Sequence, residues 1–188
     1  MEARRQVAVF GGSFDPPHCA HVMVVSYVLA CTECDEVWVV PVAEHAFDKQ
    51  SARFEARLAM CRAAFAPLGE RVRVLDVEAR LPWPSYTVQT LRELRAARPD
   101  VDLVLVMGSD IPAEAARWKA FDEVARLARI LVVGREGAPA AEVVAGPRFP
   151  EVSSTAIREA LAGGRDVSAL VPRGALEVIR KEGLYGAR

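Results

Sequence analysis

The sequence predicts an α/β fold, a doubly wound parallel sheet with helices on both of its faces and further helices at the C-terminal end. Short runs of β-branched residues alternate along the chain with amphipathic stretches of helical length. Two of these runs end in glycine-containing turns, at residues 11–12 and 107–110. Ligands of such folds bind at the carboxyl ends of the strands, so both turns are candidate binding sites.

The individual elements follow from local signals. Strands are predicted over residues 7–10, 37–40, 72–77, 103–107 and 130–133. Helices are predicted between them over residues 20–30, 52–65, 87–97 and 113–128, the third ending before Pro99. Residues 136–150 are rich in glycine, proline and alanine, which predicts a loop with an irregular strand. Two helices are expected to follow, one at the Ser-Ser-Thr sequence near residue 154 and one from Pro172 to Glu182.

Length and charge limit the functions that need to be considered. A chain of 188 residues is long enough for one domain with a sizeable core, and we expect residues 1–188 to form one, with residues 152–188 as a C-terminal helical cap. The net charge of −1 gives no support for a nucleic-acid partner or an acidic membrane partner. No apolar run approaches the roughly 18 residues that span a membrane, and no secretory pattern is present, so we expect a cytoplasmic location. A homo-oligomer is compatible with the sequence.

The four cysteines do not form a recognisable functional set. Cys31 and Cys34 have C-x-x-C spacing, but neither a second such pair nor an H-x-x-x-H sequence accompanies them. We therefore expect two partly buried thiols at the end of the first helix rather than a redox or zinc site. Cys19 lies beside a pair of histidines, and the chemistry inferred below requires no nucleophile there.

The segment from Phe10 to His21 predicts a phosphate site. Gly11 and Gly12 can adopt backbone angles that other residues resist, and they let backbone amides approach a polyphosphate closely. A helix beginning near His18 would direct free N–H groups and about half a positive charge at the same anion. His18 and His21 are three residues apart, so both imidazoles lie on one face of the first turn and can donate to phosphate oxygens. The spacing matches neither the dinucleotide-binding fingerprint nor the P-loop.

A second motif, near residue 154, is consistent with the same ligand. Ser153 or Ser154 is a natural N-cap, Thr155 adds a hydroxyl donor, and Arg158 lies one turn into the helix, where its guanidinium can bind phosphate oxygens. Two helix N-termini would then converge on one anion. The alternative is an ordinary serine-capped surface helix that ends at Gly163 and Gly164.

These motifs also resemble those of a known family. The segment 11–21 resembles the G-G-x-F-D-P-x-H-x-G-H signature of bacterial nucleotidyltransferases that transfer an adenylyl group from ATP, with Ala20 where that family usually has glycine. The segment 152–158 resembles the family's I-S-S-T-x-I-R. The segment 84–91 resembles P-S-Y-T-x-x-T-L of the nicotinate mononucleotide adenylyltransferases, and residues 108–110 and 117–119 are similar to that family's G-x-D and acceptor-side tryptophan.

The resemblance implies a Rossmann-like nucleotidyltransferase fold and transfer of the adenylyl group of ATP to nicotinate mononucleotide. It implies Mg²⁺ held mainly by the ATP phosphates. It implies catalytic roles for His18, His21 and Arg158. The implied ATP-binding residues are Gly11, Gly12, Ser13, Phe14, His18, His21, Gly108, Asp110, Ser154, Thr155 and Arg158. The implied acceptor-binding residues are Lys49, Tyr86, Thr87, Trp118 and Lys119.

The acceptor-side residues have roles that suit their chemistry. Trp118 offers a flat face for a pyridine ring, and backbone N–H groups near Thr87 and Lys119 can receive a carboxylate, which favours the acid over the amide. Asp110 is suited to accept from a ribose hydroxyl. The structural alternatives are a helix-packing role for Trp118, a loop anchor for Tyr86 and a helix N-cap for Asp110.

One segment departs from the family pattern, and two other functions remain open. The family commonly has P-P-H-K after the second strand, whereas Phe47 and Asp48 occupy the histidine and lysine positions here. Lys49, aided by His45, is the residue expected to reach the phosphates, unless it is a solvated loop lysine. The first alternative function is another adenylyltransferase, such as one acting on phosphopantetheine. The second is a non-catalytic nucleotide-binding or sensing module.

Overall fold

A computed structural model describes residues 4–43, 51–109, 118–135 and 147–187. The strands are β1 (Arg5–Gly12), β2 (Glu36–Pro41), β3 (Val72–Val74), β4 (Val101–Gly108), β5 (Ala128–Arg135) and β6 (Arg148–Phe149). The helices are α1 (Cys19–Cys31), α2 (Phe54–Phe65), α3 (Thr87–Ala97), α4 (Phe121–Leu127), α5 (Ser154–Ala162) and α6 (Arg173–Glu182). Short 3₁₀ helices cover Ala66–Leu68, Val77–Arg80 and Leu184–Gly186. Within these ranges every helix is too short or too polar to cross a membrane.

The strands form a parallel sheet in the order β3-β2-β1-β4-β5-β6. After β1 the chain builds outward on one side through β2 and β3, and later strands build outward on the other side of β1. The order therefore reverses between β1 and β4. In doubly wound sheets a crevice opens at this point, outside the carboxyl ends of the strands. Gly12 and Gly108 are the last residues of these two strands, so the crevice lies beside them. The parallel pairing and the reversed strand order confirm the predicted fold class.

Alternation along the strands divides the core into two layers, one on each face of the sheet. Ala8, Val39 and Val106 face the layer that contains buried residues of α1, α2, α5 and α6. Val9, Trp38 and Leu105 face the opposite layer, which contains buried residues of α3 and α4. Helices thus cover both faces, as the alternating sequence pattern predicts.

Two of the predicted elements have different bounds in the structure. The strand predicted over residues 72–77 ends at Val74, because the chain turns at Asp76 and buries Val77 in a 3₁₀ helix instead. The helix predicted over residues 113–128 is observed only from Phe121, and its first part lies partly outside the described residues. That helix ends at Leu127, since Ala128 already pairs with Leu103 as the first residue of β5.

The cysteine prediction also needs correction. Cys31 is exposed and Cys34 is buried, so the pair is not uniformly half-buried as expected. The difference arises because Cys31 is the last residue of α1, whereas Cys34 packs into the core beside β2. Both thiols are free.

Candidate active site

The loop that follows β1 is shaped by Phe14 rather than by unusual glycine angles. Gly11 and Gly12 continue the ladder with β2, opposite Val40 and Pro41, and neither has a positive φ. Phe14 has the left-handed backbone, with φ of 49°. A Cβ atom at Gly12 would lie 3.0 Å from the Phe14 ring, closer than nine in ten Cβ contacts, so the ring would have to shift by a few tenths of an ångström. The prediction that these glycines supply special backbone angles was therefore wrong. At Gly12, glycine makes room for the ring that turns the loop.

The two histidines form a stacked pair at the start of α1. His18 is the N-cap residue, and its ring centroid lies 3.6 Å from that of His21, with 19° between the planes. The backbone N–H of His18 donates to Nδ1 of His21 at 3.1 Å. Because Nδ1 accepts this bond, a neutral His21 carries its proton on Nε2. The edge of Phe14 packs against His21, with 4.9 Å between ring centroids, so the orientation of this imidazole is held from two sides.

Helix α5 is joined to the same loop by two side chains. Ser153 caps the helix, its hydroxyl accepting from the Ala156 N–H at 3.3 Å, as predicted. Ser154 donates to the carbonyl of Pro16 at 3.0 Å. Nη1 of Arg158 donates to the carbonyl of Asp15 at 2.8 Å and lies 3.5 Å from the Asp15 carboxylate. These contacts bring the N-terminus of α5 next to that of α1.

Asp15 connects this loop to two distant parts of the chain. Its carboxylate accepts from the hydroxyl of Tyr185 and, at 3.1 Å, from the N–H of Ala52. Asp15 is 3% exposed, so these donors and Arg158 stabilise a charge that burial alone would penalise. Burial and the bond to Asp15 raise the pKa of Tyr185 far above its usual value. The phenol therefore remains a donor at every physiological pH.

The two helix N-termini border a cleft at the carboxyl ends of the strands. Its polar part has a volume of about 350 Å³ and is lined by Ser13, Phe14, Asp15, His18, His21, Val152, Ser153, Ser154, Thr155 and Arg158. An adjoining part of about 380 Å³ shares Ser13, His18, His21 and Val152. It continues along Gly11, Gly12 and Gly108 and has more apolar walls, including Val24, Val106, Val133 and Phe149. The structure thus gathers at one cleft the predicted ATP-binding residues that it describes. Asp110 lies outside the described residues.

The predicted acceptor residues are found at the start of α3 and before α4. Tyr86 precedes Thr87, the first residue of α3, and Nζ of Lys119 lies 4.3 Å from the centroid of the Tyr86 ring. Trp118 is half-buried and packs edge-on against Phe121, with 6.4 Å between ring centroids. The structure therefore brings Tyr86 and Lys119 together. Lys49 and His45 lie outside the described residues.

Some residues in the site or in contact with its loops received no role from the sequence. Asp15 belongs to the first motif, but nothing local indicates that its carboxylate is buried. Tyr185 follows the last predicted helix, and no sequence signal links it to Asp15. Arg57 could have been noticed, because it shares an i, i+3, i+4, i+7 stripe with Met60, Cys61 and Ala64, all of them buried. A charged residue on the apolar face of a helix needs internal partners.

Replacing Tyr185 with phenylalanine is expected to lower the free energy of unfolding by about 1.5–3 kcal/mol, because a hydrogen bond to a buried carboxylate is lost. Urea denaturation of the wild type and the variant measures this difference. Tyr86→Phe is the matched control, since Tyr86 is 37% exposed, and its unfolding free energy should stay near that of the wild type. Equal stabilities for wild type and Tyr185→Phe would contradict the role of this bond.

Comparison with known proteins places this fold and cleft in a class. A family model described as cytidylyltransferase-like matches residues 9–160, from within β1 to within α5. The sheet order and this match define a protein of the cytidylyltransferase-like class of nucleotidyltransferases. The chain is 45% identical to a protein of Anaeromyxobacter dehalogenans named probable nicotinate-nucleotide adenylyltransferase, over 98% of this chain and 99% of that one. It is 42% identical to a protein of Myxococcus xanthus with the same name, over 100% of this chain and 98% of that one.

The chain therefore belongs to the nicotinate-nucleotide adenylyltransferase family, which confirms the resemblance that its motifs indicate. A solved structure has the same fold: Plasmodium falciparum nicotinic acid mononucleotide adenylyltransferase complexed with NaAD. It superposes with a TM-score of 0.79 at 18% identity, covering 98% of each chain.

Proposed function

We propose that the protein transfers the adenylyl group of ATP to nicotinate mononucleotide, forming nicotinate adenine dinucleotide and pyrophosphate in NAD biosynthesis. The observation that carries this proposal is the convergence of two helix N-termini, the stacked His18 and His21 and the Arg158 guanidinium on one cleft. N–H groups and cationic side chains at such a position are suited to a polyphosphate. The names of the relatives supply the acceptor.

The two parts of the cleft suit the two parts of ATP. The polar part would hold the phosphates, with Ser13, Thr155 and Arg158 as donors beside the histidines. The adjoining part would hold the nucleoside, because Gly11, Gly12 and Gly108 leave room along its floor and apolar side chains form its walls. Phe14 supports His21, and Ser154 holds α5 to the loop. Asp110 is assigned the ribose on the family resemblance alone.

The proposed reaction is an in-line substitution at phosphorus. A phosphate oxygen of the acceptor forms a bond to the α-phosphorus of ATP, and the bond from that phosphorus to the bridging oxygen breaks, so that pyrophosphate leaves with the electron pair. The nucleophile is already an anion and needs no general base. Catalysis then depends on alignment and on stabilising charge at the leaving group. His21 would donate its Nε2–H to oxygens of the leaving pyrophosphate, and His18 and Arg158 would act at the same oxygens. ATP enters as its magnesium complex.

The acceptor site is assigned to the start of α3 and the residues before α4. Trp118 would stack on the pyridine ring, and backbone N–H groups near Thr87 and Lys119 would receive its carboxylate. The contact between Lys119 and Tyr86 keeps a positive charge at this position, which also favours an acidic ring. Lys49 is proposed to contact the acceptor phosphate.

Trp118→Ala is expected to raise the KM for nicotinate mononucleotide about fivefold, a stacking loss of about 1 kcal/mol, with little change in ATP binding. Steady-state pyrophosphate release, with each substrate varied in turn, gives the KM for nicotinate mononucleotide and the KM for ATP. Trp83→Ala provides the matched control, because Trp83 is 63% exposed and has no assigned contact with substrate. An unchanged KM in Trp118→Ala would leave Trp118 with only its packing role against Phe121.

A panel of acceptors tests the proposed function itself. Pyrophosphate release is measured with nicotinate mononucleotide, its amide and phosphopantetheine at matched concentrations, and the acid is expected to be used best. Preference for phosphopantetheine would overturn the acceptor while keeping adenylyl transfer. ATP binding without turnover of any acceptor would favour a sensing module.

Two broader predictions and one open question, the oligomeric state, accompany this proposal. We expect residues 1–188 to behave as one nucleotidyltransferase domain, with residues 152–188 as its helical cap. A cytoplasmic location is also expected, and a homo-oligomer is compatible with the sequence. Fractionation of the source cells and light scattering of the purified protein test the last two.

A further inference from the structure

Arg57 is a buried arginine whose partners are backbone carbonyls from three places in the chain. Nε donates to Ala52 at 2.9 Å. Nη1 donates at 2.8 Å to both Ser13 and Val42, and Nη2 donates at 2.8 Å to Ala43. The residue is 2% exposed, so these bonds replace almost all of its hydration. Burial lowers the pKa of the guanidinium from its usual value, and the charge of Asp15 opposes that shift. The group remains cationic at neutral pH.

Three of the partners of Arg57 flank the segment 44–50 in the sequence. Val42 and Ala43 precede that segment, and Ala52 follows it closely. Ser13 belongs to the loop that borders the polar part of the cleft, which is proposed for the ATP phosphates. One rigid, planar group therefore holds both flanks of the segment that carries Lys49 and the loop proposed for ATP. A lysine ammonium cannot reproduce this set of directions.

Glu78 contacts the backbone of Ala43 as well, and its other partners lie next to the residues proposed for the acceptor. It is 6% exposed, lies in the 3₁₀ helix Val77–Arg80 and accepts from the Ala43 N–H at 3.2 Å. It also accepts from the hydroxyls of Ser85 at 2.8 Å and Thr90 at 2.6 Å. Ser85 directly precedes Tyr86, and Thr90 lies in the first turn of α3. Glu78 thus links the end of β2 to the residues proposed for the acceptor.

The two charged side chains meet at one peptide group. The carbonyl of Val42 accepts from Arg57, and the N–H of Ala43, in the same peptide group, donates to Glu78. A guanidinium on the oxygen and a carboxylate on the N–H polarise the peptide in the same sense, which strengthens both bonds. A continuous hydrogen-bonded path therefore runs from Ser13, beside the phosphates, through Arg57 and Glu78 to Ser85.

We propose that Arg57 and Glu78 are positioning residues that set the distance between the ATP phosphates and the acceptor nucleotide. Neither side chain lines the cleft bordered by the two helix N-termini, so each acts through the backbone that it holds. In-line transfer is sensitive to displacements of about 1 Å between the reacting groups, so a loosened connection costs alignment as well as stability. This inference rests on the proposed function, because it assigns the second substrate to the loop that contains Ser85.

The test separates the two substrates. Glu78→Leu is expected to raise the KM for nicotinate mononucleotide about tenfold and to lower kcat, while the Kd of ATP by calorimetry changes less than about twofold. Glu78→Gln is expected to restore most of both parameters, since an amide oxygen can still accept from Ala43 and Ser85. Arg57→Lys is expected to weaken binding of both substrates, because its bond to Ser13 is lost as well. Ser85→Ala should show a smaller rise in the acceptor KM and serves if Glu78→Leu does not fold.

Val101→Ala is the control for stability. Val101 is fully buried at the amino end of β4, the end of the strand remote from the cleft, so this variant should lower the melting temperature without changing either KM. The positioning role is overturned if Glu78→Leu or Ser85→Ala keeps wild-type kinetics, or if all variants, Val101→Ala included, lose activity only in proportion to their loss of melting temperature.

A second readout does not depend on turnover. Hydrogen exchange at the Ala43 amide is expected to be faster in Glu78→Leu and Arg57→Lys than in the wild type and in Val101→Ala. If the wild type turns over none of the acceptors, the proposed function fails, and unchanged exchange at Ala43 would overturn the connection as well. Turnover by the wild type with unchanged acceptor KM in the variants would overturn only the positioning role.

Discussion

His21→Ala is expected to lower kcat by a factor on the order of 10² or more, because it removes the hydrogen-bond donor that we propose stabilises charge on the leaving pyrophosphate. The structure orients that donor in advance, since Nδ1 of His21 already accepts from the His18 N–H. His18→Ala is expected to have a loss of similar size, as its ring stacks on that of His21 at the same cleft. Steady-state pyrophosphate release, measured on variants whose circular dichroism matches the wild type, gives both values.

His21→Gln separates the role of His21 in capping α1 from its proposed role in catalysis. Losing the bond to the His18 N–H is expected to cost about 0.5–2 kcal/mol of stability. Glutamine three residues after the N-cap can accept that bond, so His21→Gln should regain the stability that His21→Ala loses. It should not regain kcat. Near-normal kcat in both alanine variants would contradict the proposed role of the histidine pair.

Arg158→Ala is expected to weaken ATP binding on the order of 10²-fold, because a guanidinium in the polar part of the cleft is lost. The affinity for the acceptor is expected to change far less. Arg158→Lys should recover only part of this affinity, since an ammonium cannot contact two phosphate oxygens and the Asp15 carbonyl in one plane. Calorimetric titration with each substrate measures the two affinities separately.

The control for this variant is Arg173→Ala. The Arg173 side chain is 94% exposed and pairs with Glu177 within α6, so its removal should leave ATP affinity unchanged. Arg158→Ala also removes a partner of the buried Asp15, and a stability loss of about 1–3 kcal/mol is expected beside the binding effect. Wild-type ATP affinity in Arg158→Ala would confine the residue to this structural role.

The features that the sequence predicts well are those with strong local signals. Helix α3 begins at Thr87 and ends at Ala97, as predicted, because a stiff proline-containing loop precedes it and Pro99 follows it. The histidine pair and the capped start of α5 also follow from short motifs. Their meeting at one cleft could be expected because strand ends of a parallel sheet share one edge.

The features that the sequence did not predict depend on distant partners. Val77 is β-branched, like Val72 and Val74 of β3, yet it lies in a 3₁₀ helix, and only its burial beside α3 explains this conformation. Ala128 begins β5 directly after α4 without a glycine or proline to mark the boundary. At Gly12 the reason for glycine is the Phe14 ring two residues later, which a pattern of residue types does not reveal.

The bond between Tyr185 and Asp15 has a consequence for synthesis of the protein. These residues are separated by 170 positions, and Asp15 leaves the ribosome long before Tyr185 does. Folding during synthesis proceeds from the N-terminal side, so β1 and α1 can form early. Their loop nevertheless gains the Tyr185 hydroxyl only after 170 further residues have been added. Until then the nascent chain has an incomplete form of the proposed nucleotide site, so ATP is expected to assist its folding only after Tyr185 has been added.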